Sequence, residues 1–239
     1  VYSREELAAL AQVLRQHPQV LVLLDELYEH IWFTPQAPAH WLAVAPDLRE
    51  RTLLVNGVSK TYAMTGWRIG WGAGPAALVQ AMVVIQSQAS SGPNSVAQAA
   101  ATAALQSPDQ SFVQQARNAY ARRAQRVTQA LAQVPGLALL PPGGSFFAFV
   151  HCGALIGHLR PDGQPIASDT DLTEWLLESE GVAAVDGGAY GLSPYFRIST
   201  AASDELLAEA TARIARAVAA LKDPAAQAHA QPAALEAVP

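Results

Sequence analysis

Residues 56–71 read NGVSKTYAMTGWRIGW, and this stretch indicates more about the function of the chain than any other. An apolar segment at residues 51–55 precedes it and predicts a short strand, and the Asn-Gly pair that follows is a turn signal. Ser59 and Lys60 come directly after the turn, and Arg68 follows within the same stretch. The sequence therefore predicts a strand, a tight turn and a group of polar side chains at the end of the strand.

The polar groups of this stretch are suited to an aldehyde that carries a phosphate. A lysine at the edge of an apolar sheet can lose its proton and become an amine nucleophile, which forms a Schiff base with an aldehyde. Ser59 and Arg68 supply a hydroxyl and a guanidinium for an anion beside Lys60. Pyridoxal 5'-phosphate combines both groups and is the predicted cofactor. Lysine and arginine near glycines also occur on solvated loops, so a surface patch is the alternative for this pair considered alone.

A second polar cluster follows an apolar run at residues 20–24. These five residues, VLVLL, show no alternation and predict a strand covered on both faces, as in a parallel sheet. Asp25 falls at the carboxyl end of that strand, where ligands of open α/β sheets bind, and Tyr28 lies close behind it. The alternative is that Asp25 and Glu26 end a strand in solvent. Glu26 is predicted to be structural or a salt-bridge partner.

A third motif is the strand pattern YFRIS near the end of the chain. Period two places Tyr195, Arg197 and Ser199 on one face and the two residues between them on the other. A guanidinium can form two parallel hydrogen bonds with a carboxylate, so Arg197 is a candidate for carboxylate binding. The alternative is a partly exposed strand arginine without a ligand.

Taken together, the three motifs resemble those of class I and II aminotransferases, in their bacterial aspartate aminotransferase branch. The resemblance implies that Lys60 is the catalytic lysine, that Asp25 pairs with the pyridine nitrogen of the cofactor, and that the Tyr28 hydroxyl bonds its phenolic oxygen. It implies that Arg197 binds the α-carboxylate of the substrate. Five residues are thereby expected to bind the cofactor: Asp25, Tyr28, Ser59, Lys60 and Arg68.

The resemblance covers residues 1 to about 221 but begins in the middle of the family's pattern. It implies an α/β fold of the fold-type-I class, with the later part of a mostly parallel large-domain sheet in residues 1–107. Residues 108–222 would form a connecting helix and a smaller α+β C-terminal domain. Residues 223–239 are rich in alanine, glutamine and proline and are expected to be disordered.

Several motifs of the family would lie upstream of this sequence, among them the residue that stacks on the cofactor ring and a helix N-terminus that binds the phosphate. The chain alone is therefore expected to be inactive. Within the chain, Gly57 stands where many relatives have serine. Phosphate binding is expected to depend more on Ser59, Arg68 and residues outside the chain.

Local signals predict the remaining elements. Ser3 and Glu6 form a capping-box pattern that opens a helix. The longest helix is predicted at about residues 109–133. Apolar segments at 137–140 and 146–150 predict a hairpin or paired strands, on either side of a Pro-Pro-Gly-Gly turn. A helix is predicted at 170–181 and a strand at 182–185.

Composition excludes several classes of function. The net charge is −5 and the basic residues are scattered, which argues against a nucleic-acid surface. No apolar run is long enough to span a bilayer, so no membrane association is expected. Cys152 is the one cysteine, so no intrachain disulfide can form, and the histidines show no zinc-type pairing, so no metal site is expected. A cytoplasmic setting is the expectation that follows.

The sequence therefore predicts a transaminase that exchanges an amino group between an L-amino acid, with aspartate as the best candidate, and a 2-oxo acid such as 2-oxoglutarate. The resemblance implies a homodimer in the full-length protein. Two alternatives remain open. One is a regulatory domain of a transcription factor that senses pyridoxal 5'-phosphate, and the other is a lyase or decarboxylase with the same lysine motif.

Overall fold

A computed structural model describes residues 1–223 of the chain. These residues form two compact units: residues 1–121 with 143–145 are the first, and residues 122–142 with those from 146 onward are the second. The domain boundaries predicted from the sequence, at 107/108 and 222/223, remain predictions. The tail predicted to be disordered lies outside the described residues, apart from residue 223.

The first unit contains a three-stranded sheet in the order β1-β2-β3. Strands β1 (Val22–Asp25) and β2 (Thr52–Gly57) are parallel, whereas β3 (Gly70–Ala73) is antiparallel to β2, with Gly57 opposite Gly70. The prediction of a mostly parallel sheet is therefore corrected to a mixed sheet in the described part of the chain. The segment between β2 and β3 contains a short 3-10 turn, Thr65–Trp67, and no crossover helix, so the chain turns back and pairs antiparallel.

Only one face of β1 is covered. Val22 and Leu24 pack against a buried core, whereas Leu23 is 66% exposed and Leu21, just before the strand, is 63% exposed. The prediction that both faces are covered is wrong for the described residues. Burying a leucine contributes roughly 2 kcal/mol, so this face favours contact with a further apolar element.

That core lies between β1 and two helices of the first unit. Helix α1 (Arg4–Arg15) begins with the predicted capping box, in which the backbone N–H of Glu6 donates to Ser3 Oγ at 3.1 Å. Helix α2 (Trp41–Val44) is a single turn, and the Trp41 indole N–H donates to Thr52 Oγ1 at 3.2 Å. The buried residues of this core are Leu7, Ala11, Trp41, Ala45 and Leu48.

Three further helices follow the sheet. They are α3 (Ala76–Ala89), α4 (Ser95–Gln106) and α5 (Ser111–Leu131). Helix α5 is the longest, as predicted, and it runs from the first unit into the second. No helix within residues 1–223 is both long and apolar enough to cross a bilayer.

The second unit is built on an antiparallel sheet in the order β4-β6-β5, comprising β4 (Phe147–His151), β5 (Val185–Asp186) and β6 (Tyr195–Ser199). The predicted pairing of residues 137–140 with this first strand is mostly wrong, because only an isolated bridge joins Ala138 to His151. Two prolines follow that segment and cannot donate to a ladder, so β4 pairs with β6 instead.

Helices α6 (Asp169–Glu180) and α7 (Asp204–Ala219) complete the second unit. Strand β6 alternates as predicted, with Phe196 and Ile198 buried and Arg197 half-buried. Both buried residues belong to one core with residues of α5, α6 and α7. This alternation leaves Arg197 on the face of the sheet opposite the core.

Candidate functional site

Two of the sequence motifs meet at one edge of the first sheet. Asp25 is the last residue of β1 and lies opposite Val55 of the parallel strand β2. Ser59 and Lys60 follow soon after β2 ends at Gly57. Because parallel strands point the same way, their carboxyl ends share one edge of the sheet, which is where ligands of such sheets bind. The structure thus brings Asp25 and the lysine stretch to the same edge.

Lys60 lies in a turn stabilised by backbone hydrogen bonds. Its carbonyl accepts from the N–H of Ala63 at 3.4 Å, and the Val58 carbonyl accepts from the N–H of Tyr62 at 3.2 Å. Val58 is fully buried, while Ser59 and Lys60 are half-buried. The buried valine ties the turn to the interior of the unit and leaves the two polar side chains at its surface.

The segment from this turn to β3 contains two strained residues. Ala63 has φ 53° and Arg68 has φ 55°, so both adopt the left-handed backbone conformation that favours glycine. That conformation costs about 1 kcal/mol or more per residue and is concentrated at ligand-binding segments. Arg68 is exposed, and its Nη1 donates to the Thr65 carbonyl at 2.8 Å. The guanidinium is therefore tied to its own loop at one nitrogen.

A short turn after β1 holds Asp25 at the end of the strand. Its Oδ1 accepts from the N–H of Leu27 at 3.1 Å, and the N–H of Glu26 donates to the Val55 carbonyl at 2.9 Å. Asp25 is exposed and Tyr28 is half-buried. The carboxylate is thus fixed by backbone and remains accessible to a ligand.

Sequence reasoning missed a link between this turn and β2. Asn56 is a buried residue of β2, and its Nδ2 donates to Glu29 Oε1 at 2.7 Å while its Oδ1 accepts from the N–H of Gly57 at 2.7 Å. The signal that could have found it is a polar residue closing an apolar strand. Glu26 is half-buried beside these groups, and burial raises its pKa, an effect that the His40 charge opposes and that Glu29 and Asp25 reinforce.

A cavity of about 730 Å³ opens beside Asp25 and Tyr28. Its volume lies within the range of small-molecule sites, roughly 300–1,000 Å³. Arg117 lines it and lies over the Trp32 ring, with the guanidinium carbon 3.9 Å from the ring centroid. Among the described residues, the lining includes Asp25 and Tyr28 but not Lys60.

Arg197 belongs to the second unit, so the structure describes it apart from the other five candidate residues. It lies in the central strand β6, opposite Phe149 of β4. Its guanidinium carbon is 4.1 Å from the ring centroid of Phe147 and 4.6 Å from that of Tyr190. Contacts of this kind use the face of the guanidinium and leave its N–H edge for hydrogen bonds.

Within residues 1–223, no group of three or more histidine, cysteine, aspartate and glutamate side chains could hold a metal ion. The lone cysteine, Cys152, is buried, and its pKa is raised to about 12, first by burial and then by the charge of Asp169. A thiol of this kind is a protonated core residue and a poor nucleophile at neutral pH.

Comparison with known proteins places these motifs in a family. The family model for aminotransferase class I and II matches residues 1–214. The chain belongs to the class I and II aminotransferases. Members of this family use pyridoxal 5'-phosphate. The matched residues of this aminotransferase chain include all six candidate site residues.

Named relatives agree with the family match. The aminotransferase chain is 47% identical over 216 residues to an aspartate aminotransferase of Rhizobium meliloti, covering 90% of this chain and 52% of that protein. It is 46% identical over 213 residues to an aspartate/prephenate aminotransferase of Cereibacter sphaeroides, covering 89% and 53%. The chain spans about half the length of the relatives it matches.

Solved structures show the same fold. The crystal structure of the aspartate aminotransferase from Rhizobium meliloti matches with a TM-score of 0.89 and 44% identity, covering 93% of this chain and 55% of that one. The aspartate aminotransferase from Thermus thermophilus with maleate matches with a TM-score of 0.78 and 33% identity, covering 91% and 53%. The fold is therefore the α/β fold of aspartate aminotransferases, in part of its full extent.

The residues of the first unit fit the family's cofactor chemically. The sheet edge presents a carboxylate at Asp25, an amine at Lys60, a hydroxyl at Ser59 and a guanidinium at Arg68, with a phenol at Tyr28. A carboxylate suits a protonated pyridine nitrogen, and an amine suits an aldehyde. A hydroxyl and a guanidinium suit a phosphate, and a phenol suits a phenolic oxygen.

Proposed function

We propose that this chain is part of a longer aminotransferase that transfers an amino group between L-aspartate and a 2-oxo acid such as 2-oxoglutarate. The observation that carries the proposal is the sheet edge where Asp25 ends β1 and the Lys60 turn follows the neighbouring strand β2. Relatives also support the proposal: the chain matches about half the length of an aspartate aminotransferase and of an aspartate/prephenate aminotransferase.

Within this proposal, Lys60 is the nucleophile and the proton carrier. When bound, pyridoxal 5'-phosphate supplies an aldehyde that condenses with amines and a ring that accepts the electrons of a carbanion. The Lys60 amine would hold the cofactor covalently in the absence of substrate. With substrate bound, Lys60 Nζ would remove the α-proton and later return a proton, acting as general base and acid.

Each of the other residues holds one group. Asp25 keeps a proton on the pyridine nitrogen by its negative charge, and Tyr28 donates to the phenolic oxygen. Ser59 and Arg68 bind the phosphate, and Arg197 binds the α-carboxylate with two N–H donors. Arg197 would thereby fix the orientation of the substrate.

The proposal includes a homodimer and a dependence on residues outside this chain. The exposed side chains of Leu21, just before β1, and of Leu23 within it support the proposal, since an apolar strand face of this kind is stable when another element covers it. Residues 1–239 alone are accordingly expected to be inactive.

Covalent mapping tests the role of Lys60. The full-length protein, loaded with pyridoxal 5'-phosphate, is reduced with borohydride so that the cofactor stays attached to the amine that holds it, and the peptides are then mapped by mass spectrometry. We expect the added mass on Lys60, and we expect a Lys60→Arg variant to lose both the adduct and turnover. The matched control is Lys222→Arg, which changes the other lysine of this chain. An adduct on a different lysine contradicts the assignment.

Product analysis then separates transamination from the alternatives. L-Aspartate and 2-oxoglutarate should be converted to oxaloacetate and L-glutamate in equal amounts. Carbon dioxide or ammonia as the main product from aspartate would indicate a decarboxylase or lyase. Cofactor binding without any turnover in the full-length protein would favour a sensing domain.

A further inference from the structure

Asp169 is a buried carboxylate that the proposed mechanism does not use. It is the first residue of α6 and is 3% exposed. Its Oδ2 accepts three hydrogen bonds, from the N–H of Gly187 at 3.1 Å, the hydroxyl of Ser193 at 2.7 Å and the N–H of Tyr195 at 3.2 Å. A buried carboxylate is stable only when it is hydrogen-bonded this fully, so these three bonds hold Asp169 and its donors in place.

All three donors lie in residues 186–195, the loop that joins β5 to β6 together with one strand residue at each end. One of the bonds reaches the beginning of this loop and two reach its end. Its first part, Gly187–Tyr190, is a short 3-10 turn, and the N–H of Leu192 donates back to the Gly187 carbonyl at 3.0 Å. A Cβ at position 187 would collide with the Leu192 carbonyl oxygen. The loop is thus closely packed where Asp169 holds it.

This loop carries a ring on which Arg197 lies. The guanidinium carbon of Arg197 is 4.6 Å from the ring centroid of Tyr190. Tyr195, at the other end of the loop, stacks on Phe149 with centroids 4.9 Å apart and planes 4° apart, and Phe149 meets Tyr190 edge-on at 6.0 Å. Of the two rings that Arg197 contacts, Phe147 belongs to β4, whereas Tyr190 takes its position from the loop that Asp169 holds.

We propose that Asp169 is a positioning residue for substrate binding. It holds loop 186–195 so that Tyr190 keeps Arg197 in the orientation that receives a carboxylate. The inference rests on the proposed role of Arg197 as the α-carboxylate site. Asp169 acts through Arg197 and does not itself contact the substrate.

The charge state of Asp169 agrees with this role. Burial by itself raises its pKa, but the hydrogen bonds from Ser193, from the Tyr195 backbone and from Gly187 together lower it below its ordinary value. Asp169 is therefore ionised at neutral pH, and charge-assisted bonds of this type are stronger than neutral ones.

A double-mutant cycle in the full-length, cofactor-loaded protein tests the coupling. We expect Asp169→Asn to raise KM for L-aspartate and for 2-oxoglutarate by about 10-fold, the loss of a typical charge-assisted bond, with cofactor absorbance unchanged. In an Arg197→Lys background the same change should raise KM less than about twofold, because the residue it acts through is already altered. The matched control is Asp171→Asn, since Asp171 lies in the same helical turn but accepts from the N–H of Ala167, outside the loop.

Hydrogen–deuterium exchange of peptides that span residues 186–195 provides a readout that is independent of activity. Exchange should quicken in Asp169→Asn and stay unchanged in Asp171→Asn. Unchanged exchange in Asp169→Asn, or an equal rise in KM with and without Arg197→Lys, overturns the proposal. If Asp169→Asn does not fold, Ser193→Ala removes one of the three bonds at an exposed residue and must show the same coupling in smaller degree. An unaltered KM in Arg197→Lys alone rejects the proposed role of Arg197, while the exchange data still decide whether Asp169 holds the loop.

Discussion

Replacing Gly57 by serine tests the geometry of the sheet edge beside Lys60. A Cβ at Gly57 would lie 2.7 Å from the Ile69 carbonyl oxygen, 3.1 Å from Gly70 Cα and 3.3 Å from Leu27 Cδ2. Two of these atoms are backbone of the neighbouring chain segment, which cannot move without disturbing the pairing of β2 with β3. Overpacking of this kind costs about 2 kcal/mol, so Gly57→Ser should shift the unfolding equilibrium by about 30-fold.

Urea unfolding of the full-length protein, followed by far-ultraviolet circular dichroism, measures this loss. The control is Gly66→Ser in the same stretch, because a Cβ at Gly66 meets no atom within 4 Å. We expect the control to stay within about 0.5 kcal/mol of the wild type. Equal stability of Gly57→Ser and wild type, or tighter binding of pyridoxal 5'-phosphate by Gly57→Ser, would refute the argument that this edge has no room for a serine.

Three further substitutions follow from the structure. Asp25→Asn should keep the cofactor bound yet slow the half-reaction with the amino acid at least about 100-fold, as measured by stopped-flow absorbance. The reason is that a neutral amide does not hold the pyridinium proton. The control, Asp47→Asn on the surface, should leave the rate of the half-reaction unchanged. Arg51→Ala should lower the free energy of unfolding by about 2 kcal/mol, as measured by thermal unfolding, because Arg51 donates to three backbone carbonyls before β1. Arg49→Ala, the control, should change the free energy of unfolding little. Asp169 has a lowered folded pKa, so its contribution to stability is present above the unfolded pKa of about 3.9 and is lost as the pH falls through the folded value. The stability difference between wild type and Asp169→Asn should therefore shrink from pH 7 to pH 3 in urea unfolding, and a constant difference would contradict this.

Local signals predicted the helices well because their causes are local. The capping box at Ser3 and Glu6 forms as expected, and the helix predicted at 170–181 is observed at Asp169–Glu180 with Ser168 as its N-cap. Each of these signals acts through backbone groups within one turn of the helix, so neighbouring residues are sufficient to indicate it. Helix starts were therefore predictable without knowledge of the fold.

Strand pairing was less predictable because it depends on distant partners. The apolar run at residues 20–24 indicated burial on both faces, yet Leu23 is exposed on one of them. An apolar pattern states what a strand can bury and does not state whether a partner is present in the same chain. Residues 137–140 likewise have strand-like composition, but the prolines after them leave β4 to pair with β6.

The same distinction separates the parts of the candidate site. Lys60, Asp25 and Arg197 could be proposed from the sequence because amine, carboxylate and guanidinium chemistry is a property of the residue type and of its place at the end of a strand or on one face of it. Asp169 could not, because its three donors lie 18, 24 and 26 residues away and only the folded loop brings them to one oxygen. An aspartate at the start of a helix is ordinary in sequence, and helix geometry alone explains it. Groups that contact a ligand can thus be recognised before the fold is known, whereas groups that position them become visible only through the hydrogen bonds that the fold creates.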